Sequence, residues 1–398
     1  MQVTITDDIR YIGVDDTDID LFESQYVVPD GVSYNSYLIL DEKIAVMDTV
    51  DHRKTAEWMD NLKKELAGKT PDYLVISHLE PDHSGSLDAF LEAYPSVTIV
   101  ASAKAISMLP QFVLLPESVQ TEPKKEGDVL SLGKHSLTFV MAPMVHWPEV
   151  MCSYDTTDKV LFSADGFGKF GALSKSPAIT AAENPDLDLL EDWACEARRY
   201  YFNICGKYGG PVQTLLKKAS ALEIEKICPL HGPVITENLN FFIGLYDTWS
   251  SYKPETEGVF IAHASIHGNT AHAAQELAKM LEDKGIRVAI ADLSRDDMAE
   301  AVEDAFRHDR MVLAASSYDG GVFSPMQDFL FRLGHKAYQN RKVALVENGS
   351  WAPTAARTMK TALEGMKDVT VLEKVVTIKT TLTQESKAEL AELANLLA

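Results

Sequence analysis

The stretch Ser77-His78-Leu79-Glu80-Pro81-Asp82-His83-Ser84-Gly85 places two histidines and two carboxylates within six positions of the chain. It follows an apolar run at residues 73–76 that predicts a buried strand. It precedes residues 86–94, where apolar side chains recur at the spacing of a helix. The sequence therefore predicts four side chains able to bind metal ions on one strand-to-helix loop.

The spacing within this loop separates the four side chains into two pairs. His78 and Glu80 are two residues apart, so an extended backbone points both side chains in the same direction. Asp82 and His83 follow at the point where the chain turns into the helix. We predict that the loop faces two metal ions, with one pair on each, and an ordinary polar surface loop is the alternative.

Three further residues of metal-binding types stand at the ends of apolar runs. His146 lies within residues 143–149, Asp165 follows an apolar run, and His231 follows another. A single histidine in such a place more often has a structural role. Together with the pairs in the loop, however, these three residues would complete two coordination shells.

Length and charge limit the class of protein. A chain of 398 residues is too long for one ordinary core and predicts two domains. Apolar residues make up 46% and charged residues 24% of the sequence, as in a soluble globular protein. The net charge of −22 argues against nucleic acid or an anionic membrane as a partner, because both select clustered Lys and Arg.

The four cysteines, at positions 152, 195, 205 and 228, form no C-x-x-C pair, which argues against a rubredoxin-type or zinc-ribbon module. Scattered cysteines in a chain of this length favour a reducing cytosol, so we expect a cytoplasmic protein. The first residues resemble no signal peptide, and no run reaches the roughly 18 apolar residues of a membrane span. We therefore expect no membrane anchor.

The part of the chain up to residue 252 mixes short strands with helices. Two β-type runs flank Asp41-Glu42, a pattern typical of a hairpin. Strands are predicted at residues 36–40, 43–47, 97–101, 129–132, 136–141 and 160–163, and helices at residues 55–66, 187–220 with a break at 206–211, and 239–252. This pattern indicates an α+β domain, with two stacked sheets and helices outside them.

A polar stretch with Pro and Gly, residues 253–258, is the candidate linker. Beyond it, five predicted strands alternate with five predicted helices. The strands are at residues 259–262, 287–291, 310–315, 341–346 and 369–377, and the helices at residues 270–283, 298–306, 325–333, 355–366 and 382–397. This alternation predicts an α/β domain with a doubly wound parallel sheet of five strands. The predicted domains are residues 1–252 and 253–398.

Three loops at the carboxyl ends of these strands are suited to a flavin nucleotide. The loop 265–270 offers hydroxyls, an amide and a glycine at a helix N-terminus, which suit a phosphate monoester. It lacks the P-loop and dinucleotide motifs. The other loops carry glycines and an aromatic residue, Tyr318 or Trp351, that could stack on a flat ring. Ordinary turns are the alternative for any one loop. The candidate FMN-binding residues are Ser265, Ile266, His267, Gly268, Asn269, Thr270, Ser317, Tyr318, Asp319, Gly320, Gly321, Asn348, Gly349, Ser350, Trp351 and Ala352.

With these motifs the chain resembles the flavodiiron proteins, also called A-type flavoproteins, over essentially its whole length. Its first half resembles the metallo-β-lactamase fold, an αββα sandwich, and its second half resembles flavodoxin. The family's H-x-E-x-D-H motif stands here as His78, Glu80, Asp82 and His83. Related zinc hydrolases resemble H-x-H-x-D-H instead, so Glu80 distinguishes the two groups.

The resemblance implies that seven residues are the ligands and catalytic residues of a diiron centre, with Asp165 as the bridging carboxylate. These residues are His78, Glu80, Asp82, His83, His146, Asp165 and His231. Three carboxylates and four histidines form a hard, anionic set of ligands that suits iron cycling between its ferrous and ferric states.

The resemblance also implies an activity and partners. Similar proteins reduce O2 to water, NO to N2O, or both, and their electrons pass through FMN to the irons. With no flavin reductase or rubredoxin module expected in the chain, an external donor such as rubredoxin would be needed. Similar proteins form head-to-tail dimers, alone or as dimers of dimers, in which the FMN of one chain lies beside the irons of the other.

Two departures from the family pattern are visible. His267 stands where members often have an aromatic residue, which affects flavin stacking on that side. Residues 23–26 lack a histidine that some members carry near the metals, which leaves the preference between O2 and NO open. The alternatives to the main prediction are a dinuclear zinc hydrolase with a fused flavodoxin-like domain and an electron carrier whose first domain is a dimerisation scaffold.

Overall fold

The computed structural model of the protein describes residues 3–173, 178–179 and 193–398. The start of the helical segment predicted at residues 187–220 lies outside the described residues, up to residue 192. The chain divides into two compact units, Met1–Tyr201 with Gly210–Asp247 and Phe202–Gly209 with Thr248–Ala398. The division predicted at residues 252 and 253 stays a prediction.

The first unit is built from short strands and seven helices within its described part. The strands are β1 (Val3–Thr4), β2 (Ile9–Tyr11), β3 (Val14–Asp16), β4 (Leu21–Phe22), β5 (Tyr26–Val27), β6 (Val32–Tyr34), β7 (Tyr37–Ile39), β8 (Ala45–Met47), β9 (Tyr73–Ile76), β10 (Thr98–Ser102), β11 (Gln120–Lys124), β12 (Val129–Ser131), β13 (Ser136–Met141), β14 (Met151–Asp155), β15 (Val160–Phe162), β16 (Ala178–Ile179), β17 (Lys226–Cys228) and β18 (Val234–Ile235). The helices are α1 (Thr55–Leu66), α2 (Pro81–Ser84), α3 (Leu87–Ala93), α4 (Ala103–Met108), α5 (Ala194–Ile204), α6 (Gly209–Ala219) and α7 (Leu239–Ser250).

Most of these strands form two sheets that pack face to face. The first has the order β1-β2-β7-β8-β9-β10-β11, and the second has the order β12-β13-β14-β15-β17-β18-β16. One buried apolar cluster contains side chains of both sheets, such as Val75 and Val100 from the first and Phe139 and Phe162 from the second. The core therefore lies between the sheets and leaves the helices outside. The predicted αββα sandwich is confirmed.

Local sequence explains which of these elements were predicted correctly. The predicted helix at residues 55–66 is α1, and the predicted hairpin pairs β7 with β8 in antiparallel register. Several short strands were not predicted individually, and the longest of these in the first unit are β11 and β14. The strand β11 is largely polar and lies at a sheet edge, and β14 is buried at every position, so neither shows alternation. The predicted break at residues 206–211 is too long, since α6 already begins at Gly209 and holds Pro211 in its first turn, where proline is tolerated.

The second unit alternates strands and helices. Its strands are β19 (Thr256–Ala264), β20 (Val288–Asp292), β21 (His308–Tyr318), β22 (Gly321–Val322), β23 (Lys342–Asn348) and β24 (Thr370–Ile378). Its helices are α8 (Asn269–Glu282), α9 (Met298–Arg307), α10 (Ser324–His335), α11 (Ala355–Glu364) and α12 (Gln384–Leu397). No helix in the described part of the chain is long and apolar enough to cross a membrane.

Five strands of this unit form a parallel sheet in the order β20-β19-β21-β23-β24, and β22 adds a short antiparallel hairpin to β21. This is the strand order of a flavodoxin-like sheet, in which ligands bind at the carboxyl ends of the strands. The predicted doubly wound fold is confirmed. The candidate linker at residues 253–258 is only partly a loop, because β19 begins at Thr256, which pairs with His308.

One buried histidine joins three separate segments of the first unit. The ring of His135, between β12 and β13, is fully buried, with Nδ1 3.1 Å from Asp155 Oδ2 and Nε2 3.2 Å from Asp8 Oδ2. Both partners are carboxylates, so both ring nitrogens donate and the imidazole is positively charged. Burial alone would lower the pKa of His135, but the hydrogen bonds to Asp8 and Asp155 outweigh it and raise the pKa.

Replacing this histidine should therefore cost stability in a pH-dependent way. A histidine whose pKa is raised in the folded state stabilises the fold fully at pH values below its unfolded pKa of about 6.5. This contribution to the free energy of unfolding is lost as the pH rises through the folded pKa. His135→Asn should lower the free energy of unfolding by about 1.5–3 kcal/mol near neutral and lower pH, and by less in alkaline solution. Chemical unfolding followed by circular dichroism over a pH series measures this.

The matched control is His52→Asn, because the side chain of His52 is 73% exposed. It should change the unfolding free energy little at any pH. An equal loss of stability for His135→Asn at all pH values would contradict the assignment of a charged imidazole.

Candidate metal centre

The loop after β9 has the geometry that its sequence predicts. Glu80 has an extended backbone (φ −55°, ψ 142°) and immediately precedes α2, whose first residue is Pro81. The loop is held from behind by Asp48, whose Oδ1 accepts from the backbone N–H of Ser77 at 2.7 Å and of His78 at 3.4 Å. The extended turn directs His78 and Glu80 into one cluster, as expected.

His78, Glu80, His146 and Asp165 form the first group, defined here as group one. Nε2 of His146 lies 2.9 Å and Nε2 of His78 lies 3.2 Å from Glu80 Oε2. The same two nitrogens lie 3.4 Å and 3.3 Å from Asp165 Oδ2. Two nitrogens and two carboxylate oxygens therefore surround one point.

Asp82, His83 and His231 form the second group, defined here as group two. Asp82 Oδ2 lies 3.1 Å from His231 Nε2 and 3.3 Å from His83 Nε2, and the two histidine nitrogens are 3.0 Å apart. All three residues are buried. The separation of the loop into two pairs, predicted from spacing, is thus present in the fold.

The carboxylate of Asp165 lies between the two groups and is 1% exposed. Its Oδ2 faces His78 and His146, whereas its Oδ1 lies 3.4 Å from His83 Nε2 and 3.8 Å from His231 Nε2. Each oxygen is therefore directed at a different group, which is the arrangement that a bridging carboxylate needs.

Hydrogen bonding within the cluster is incomplete in a way that fits bound cations. Both carboxylate oxygens of Asp165 and of Asp82 are buried without a hydrogen-bond partner among the described residues. His231 donates from Nδ1 to the carbonyl of Ser33 at 2.7 Å, so a neutral ring carries its lone pair on Nε2, directed into the cluster. Buried carboxylates without donors are costly, and cations between them would remove that cost.

The pKa values in the cluster show how strongly the carboxylates stabilise positive charge beside them. Burial works against the charged form of every group here. The adjacent carboxylates of Asp165 and Glu80 nevertheless raise the pKa of His146 to about 9. The adjacent rings of His146 and His78 lower the pKa of Glu80 to about 2, and nearby His78 helps to hold the pKa of Asp165 well below its usual range. The pKa values of His78 and His83 are raised as well, so in the absence of metal these two rings and His146 provide the positive charge.

Several residues that support the ligands were not predicted. Glu149 accepts from Nδ1 of His78 at 2.7 Å, and burial raises the pKa of Asp48 to about 6 in spite of its hydrogen bonds. Glu149 stands in the segment quoted around His146, so that segment was the available signal. Asp48 follows β8 with a positive φ of 57°, which no sequence pattern reveals.

A hairpin beside group two was also missed as part of the site. Strands β4 and β5 flank a turn at Glu23 and Ser24, both with positive φ. Phe22 packs edge-on against the ring of His231, with ring centroids 5.4 Å apart. Desolvation by the surrounding protein and the nearby Glu80 carboxylate raise the pKa of Glu23 to about 7. The segment without the family's histidine therefore places a phenyl ring and a carboxyl group near the ligands.

The second unit has a separate cavity of about 310 Å³ at the carboxyl edge of its sheet. Among the predicted FMN-binding residues, those that line it are Ser265, Ile266, His267, Asn269, Thr270, Ser317, Tyr318, Asn348, Gly349, Ser350, Trp351 and Ala352. The structure adds two hydroxyl residues, Ser316 and Thr380, which were not among the predicted FMN-binding residues. Trp351 is 92% exposed and Tyr318 is 51% exposed, so two aromatic surfaces stand open beside the cavity.

The other predicted FMN-binding residues shape these loops without lining the cavity. Gly268 has φ +87° where α8 begins, and its N–H donates to Ser265 Oγ. Asp319 and Gly320, both with positive φ, form the turn that joins β21 to Gly321 at the start of β22. Their role is to set the backbone path.

Comparison with known proteins agrees with this architecture. A family model described as ODP family beta lactamase matches residues 32–232. The anaerobic nitric oxide reductase flavorubredoxin of Vibrio vulnificus is 29% identical over 357 residues, which cover 88% of this chain and 70% of that protein.

Solved structures match over the whole chain. The rubredoxin oxygen:oxidoreductase of Desulfovibrio gigas has a TM-score of 0.90 at 25% identity and covers 100% of this chain, with 98% of its own length matched. The flavodiiron protein of Giardia intestinalis has a TM-score of 0.92 at 23% identity. The match covers 100% of this chain and 96% of that protein, and it shows the shared fold. The predicted resemblance to flavodiiron proteins is confirmed, and this chain belongs to the ODP family of β-lactamase-fold proteins.

Proposed function

We propose that this protein is a flavodiiron oxidoreductase that reduces O2 to water, NO to N2O, or both. One observation carries the proposal: six side chains of metal-binding types surround the buried carboxylate of Asp165, which directs one oxygen towards the other members of group one and one towards group two. Two irons bound there would supply electrons to the gas and open coordination positions for it.

The side chains of the cluster divide the work of holding the irons. Group one would hold one iron through His78, Glu80 and His146, and group two would hold the other. Asp165 would bridge them and keep both at a fixed separation. This set of ring nitrogens and carboxylate oxygens suits non-haem iron, and it contains none of the soft sulfur donors that select Cu(I) or iron–sulfur clusters.

The cavity of the second unit would bind FMN. The hydroxyls of Ser265 and Thr270 stand where α8 begins, and the helix dipole there favours a phosphate group. Tyr318 and Trp351 offer aromatic faces to the flavin ring, which would cover their exposed apolar surface.

The relatives' names favour this activity over the two alternatives. One relative is named as a nitric oxide reductase and one structural neighbour as a rubredoxin oxygen:oxidoreductase, and neither name describes a zinc hydrolase. The convergent ligands argue against a scaffold. We further propose an external electron donor such as rubredoxin, a cytoplasmic location, and a head-to-tail dimer, alone or as a dimer of dimers.

Cofactor content is the first test of this proposal. Protein purified from iron-supplemented cells should contain about two irons and one FMN per chain, because the two groups and the cavity each provide one site. Metal analysis and chromatography of the extracted flavin measure this, and anaerobic reduction followed by separate O2 and NO consumption assays measures the activity. Zinc without iron, or FAD in place of FMN, would reject the proposal.

Replacing Asp165 should damage both iron sites together. Asp165→Asn removes a negative charge that faces both groups, so the loss of iron affinity should exceed the roughly 10–100-fold that the loss of an outer hydrogen-bond partner costs. FMN should remain bound, since its cavity belongs to the other unit. Iron and flavin content, together with gas consumption, are the measurements.

Asp18→Asn is the matched control, because that carboxylate is 90% exposed. This variant should keep its iron and its activity. Full activity in Asp165→Asn would show that the bridging role is misassigned.

The dimer proposal predicts complementation between two inactive variants. One chain carries His146→Ala, which removes a ligand of group one, and the other carries Ser265→Ala with Thr270→Ala to abolish FMN binding. Each homodimer should be inactive. A mixed dimer should regain one working site, because the intact flavin of one chain then serves the intact irons of the other.

Donor-driven O2 or NO consumption by purified mixed dimers measures this. Iron and FMN content must be shown for each preparation. An inactive mixed dimer that contains both cofactors would contradict electron transfer between chains.

A further inference from the structure

Three histidines of the cluster differ in the hydrogen-bond partner of Nδ1, the ring nitrogen that faces away from the cluster. His78 Nδ1 lies 2.7 Å from the carboxylate oxygen Oε1 of Glu149. His231 Nδ1 donates to a neutral backbone carbonyl, that of Ser33, and His83 Nδ1 is buried without a hydrogen-bond partner in the described structure. Group one therefore contains an imidazole backed by a full negative charge, whereas neither histidine of group two has such a partner.

Two further hydrogen bonds hold Glu149 itself, and a third holds Met151, two residues further along the chain. Its Oε1 also accepts from the backbone N–H of Leu79 at 3.0 Å, and Ser102 Oγ donates to its backbone carbonyl at 2.7 Å. The neighbouring residue Met151 donates its N–H to the carbonyl of Ser77 at 3.0 Å. Glu149 itself is 1% exposed. The carboxylate thus ties the loop that carries His146 to the loop that carries His78.

This contact decides which ring nitrogen of His78 offers its lone pair to the cluster. A carboxylate only accepts hydrogen bonds, so Nδ1 of His78 must carry the proton. The lone pair of a neutral His78 is then on Nε2, which points at Glu80 and Asp165. A carboxylate behind a histidine ligand fixes the ring orientation and makes the ligand more basic.

We propose that Glu149 is a positioning residue which, through His78, makes the two iron sites unequal: group one binds its iron more tightly and favours the ferric state more than group two does. The inference rests on the proposed diiron function. It concerns a residue outside the predicted ligand set. It follows from a contrast among the described residues: a carboxylate lies within hydrogen-bonding distance of Nδ1 of His78, whereas Nδ1 of His83 has no hydrogen-bond partner and Nδ1 of His231 has a neutral carbonyl.

Glu149→Gln in the iron-loaded, full-length protein tests the role of the charge. The amide oxygen can still accept from His78 and Leu79, so a merely structural hydrogen bond would survive, whereas the negative charge is lost. We expect the affinity of the protein for one iron per chain to fall about 10–100-fold, so that a chelator removes this iron while the second iron and FMN stay bound. Iron retained against graded chelator, and Mössbauer spectra of the loaded protein, are the readouts.

Two ligand variants identify which iron responds. The Mössbauer signal altered in Glu149→Gln should be the one lost in His146→Ala, a ligand of group one, and not the one lost in Asp82→Asn, a ligand of group two. The matched control is Glu223→Gln, which removes the charge of a carboxylate that is 82% exposed and should change neither signal. Loss of both irons equally, or of the group-two iron first, would overturn the inference.

Folding and the proposed function are checked separately. Circular dichroism and FMN content report whether Glu149→Gln folds. If it does not, Glu149→Asp keeps the charge on a shorter side chain and should weaken the same iron by a smaller factor, and an unchanged group-one iron in that variant would overturn the inference. Failure of the proposed function would be visible in the wild-type protein, as an absence of bound iron or of gas consumption, whereas failure of the inference is a Glu149 variant that retains two wild-type irons.

Discussion

Burial of the Asp165 carboxylate is the constraint on which the first unit depends. An ionised carboxylate away from water is costly unless positive charge and hydrogen bonds compensate it. Here the oxygens have no hydrogen-bond donor in the described part of the chain, and their neighbours are ring nitrogens of four histidines. The arrangement is therefore favourable only with positive charge at the cluster, whether from protonated histidines or from bound cations.

The sandwich brings this charge together from both of its sheets. His78, Glu80, Asp82 and His83 come from the loop after β9 in the first sheet, whereas His146, Asp165 and His231 come from loops between strands of the second. The apolar cluster between the sheets fixes their separation, and so sets the distances across the cluster. Packing of the core and assembly of the site are thus one event: a loss of sheet packing would also separate the two sets of ligands.

The second unit solves a different problem, the binding of an anionic nucleotide by a strongly acidic protein. The lining of its cavity contains hydroxyl and amide side chains and no lysine or arginine. Backbone N–H groups and the dipole at the start of α8 would therefore provide the attraction for phosphate. The exposure of Trp351 leaves apolar surface in water, which a flat aromatic ligand would cover.

Local order along the chain determined much of this protein before any tertiary contact was known. The spacing of the H-x-E-x-D-H motif divided its side chains into two pairs, because an extended backbone has a period of two residues. The alternation of strands and helices predicted the parallel sheet, because parallel strands need a crossover that is usually a helix. Both features depend on neighbours in sequence, so they could be read from it.

Only the tertiary structure decided which distant side chains meet. Glu149 reaches His78 across 71 residues, and Ser33 reaches His231 across 198, and no periodicity connects such positions. The same holds for Thr380, which joins the cavity of the second unit from beyond the last strand. The extent of β19 was likewise misjudged, because the strand character of Thr256 comes from its pairing with His308 and not from its own polar surroundings in sequence. Contacts of this kind are selected by the packing of whole sheets, which is why candidate ligands could be named from the sequence while the residues that contact them from behind could not.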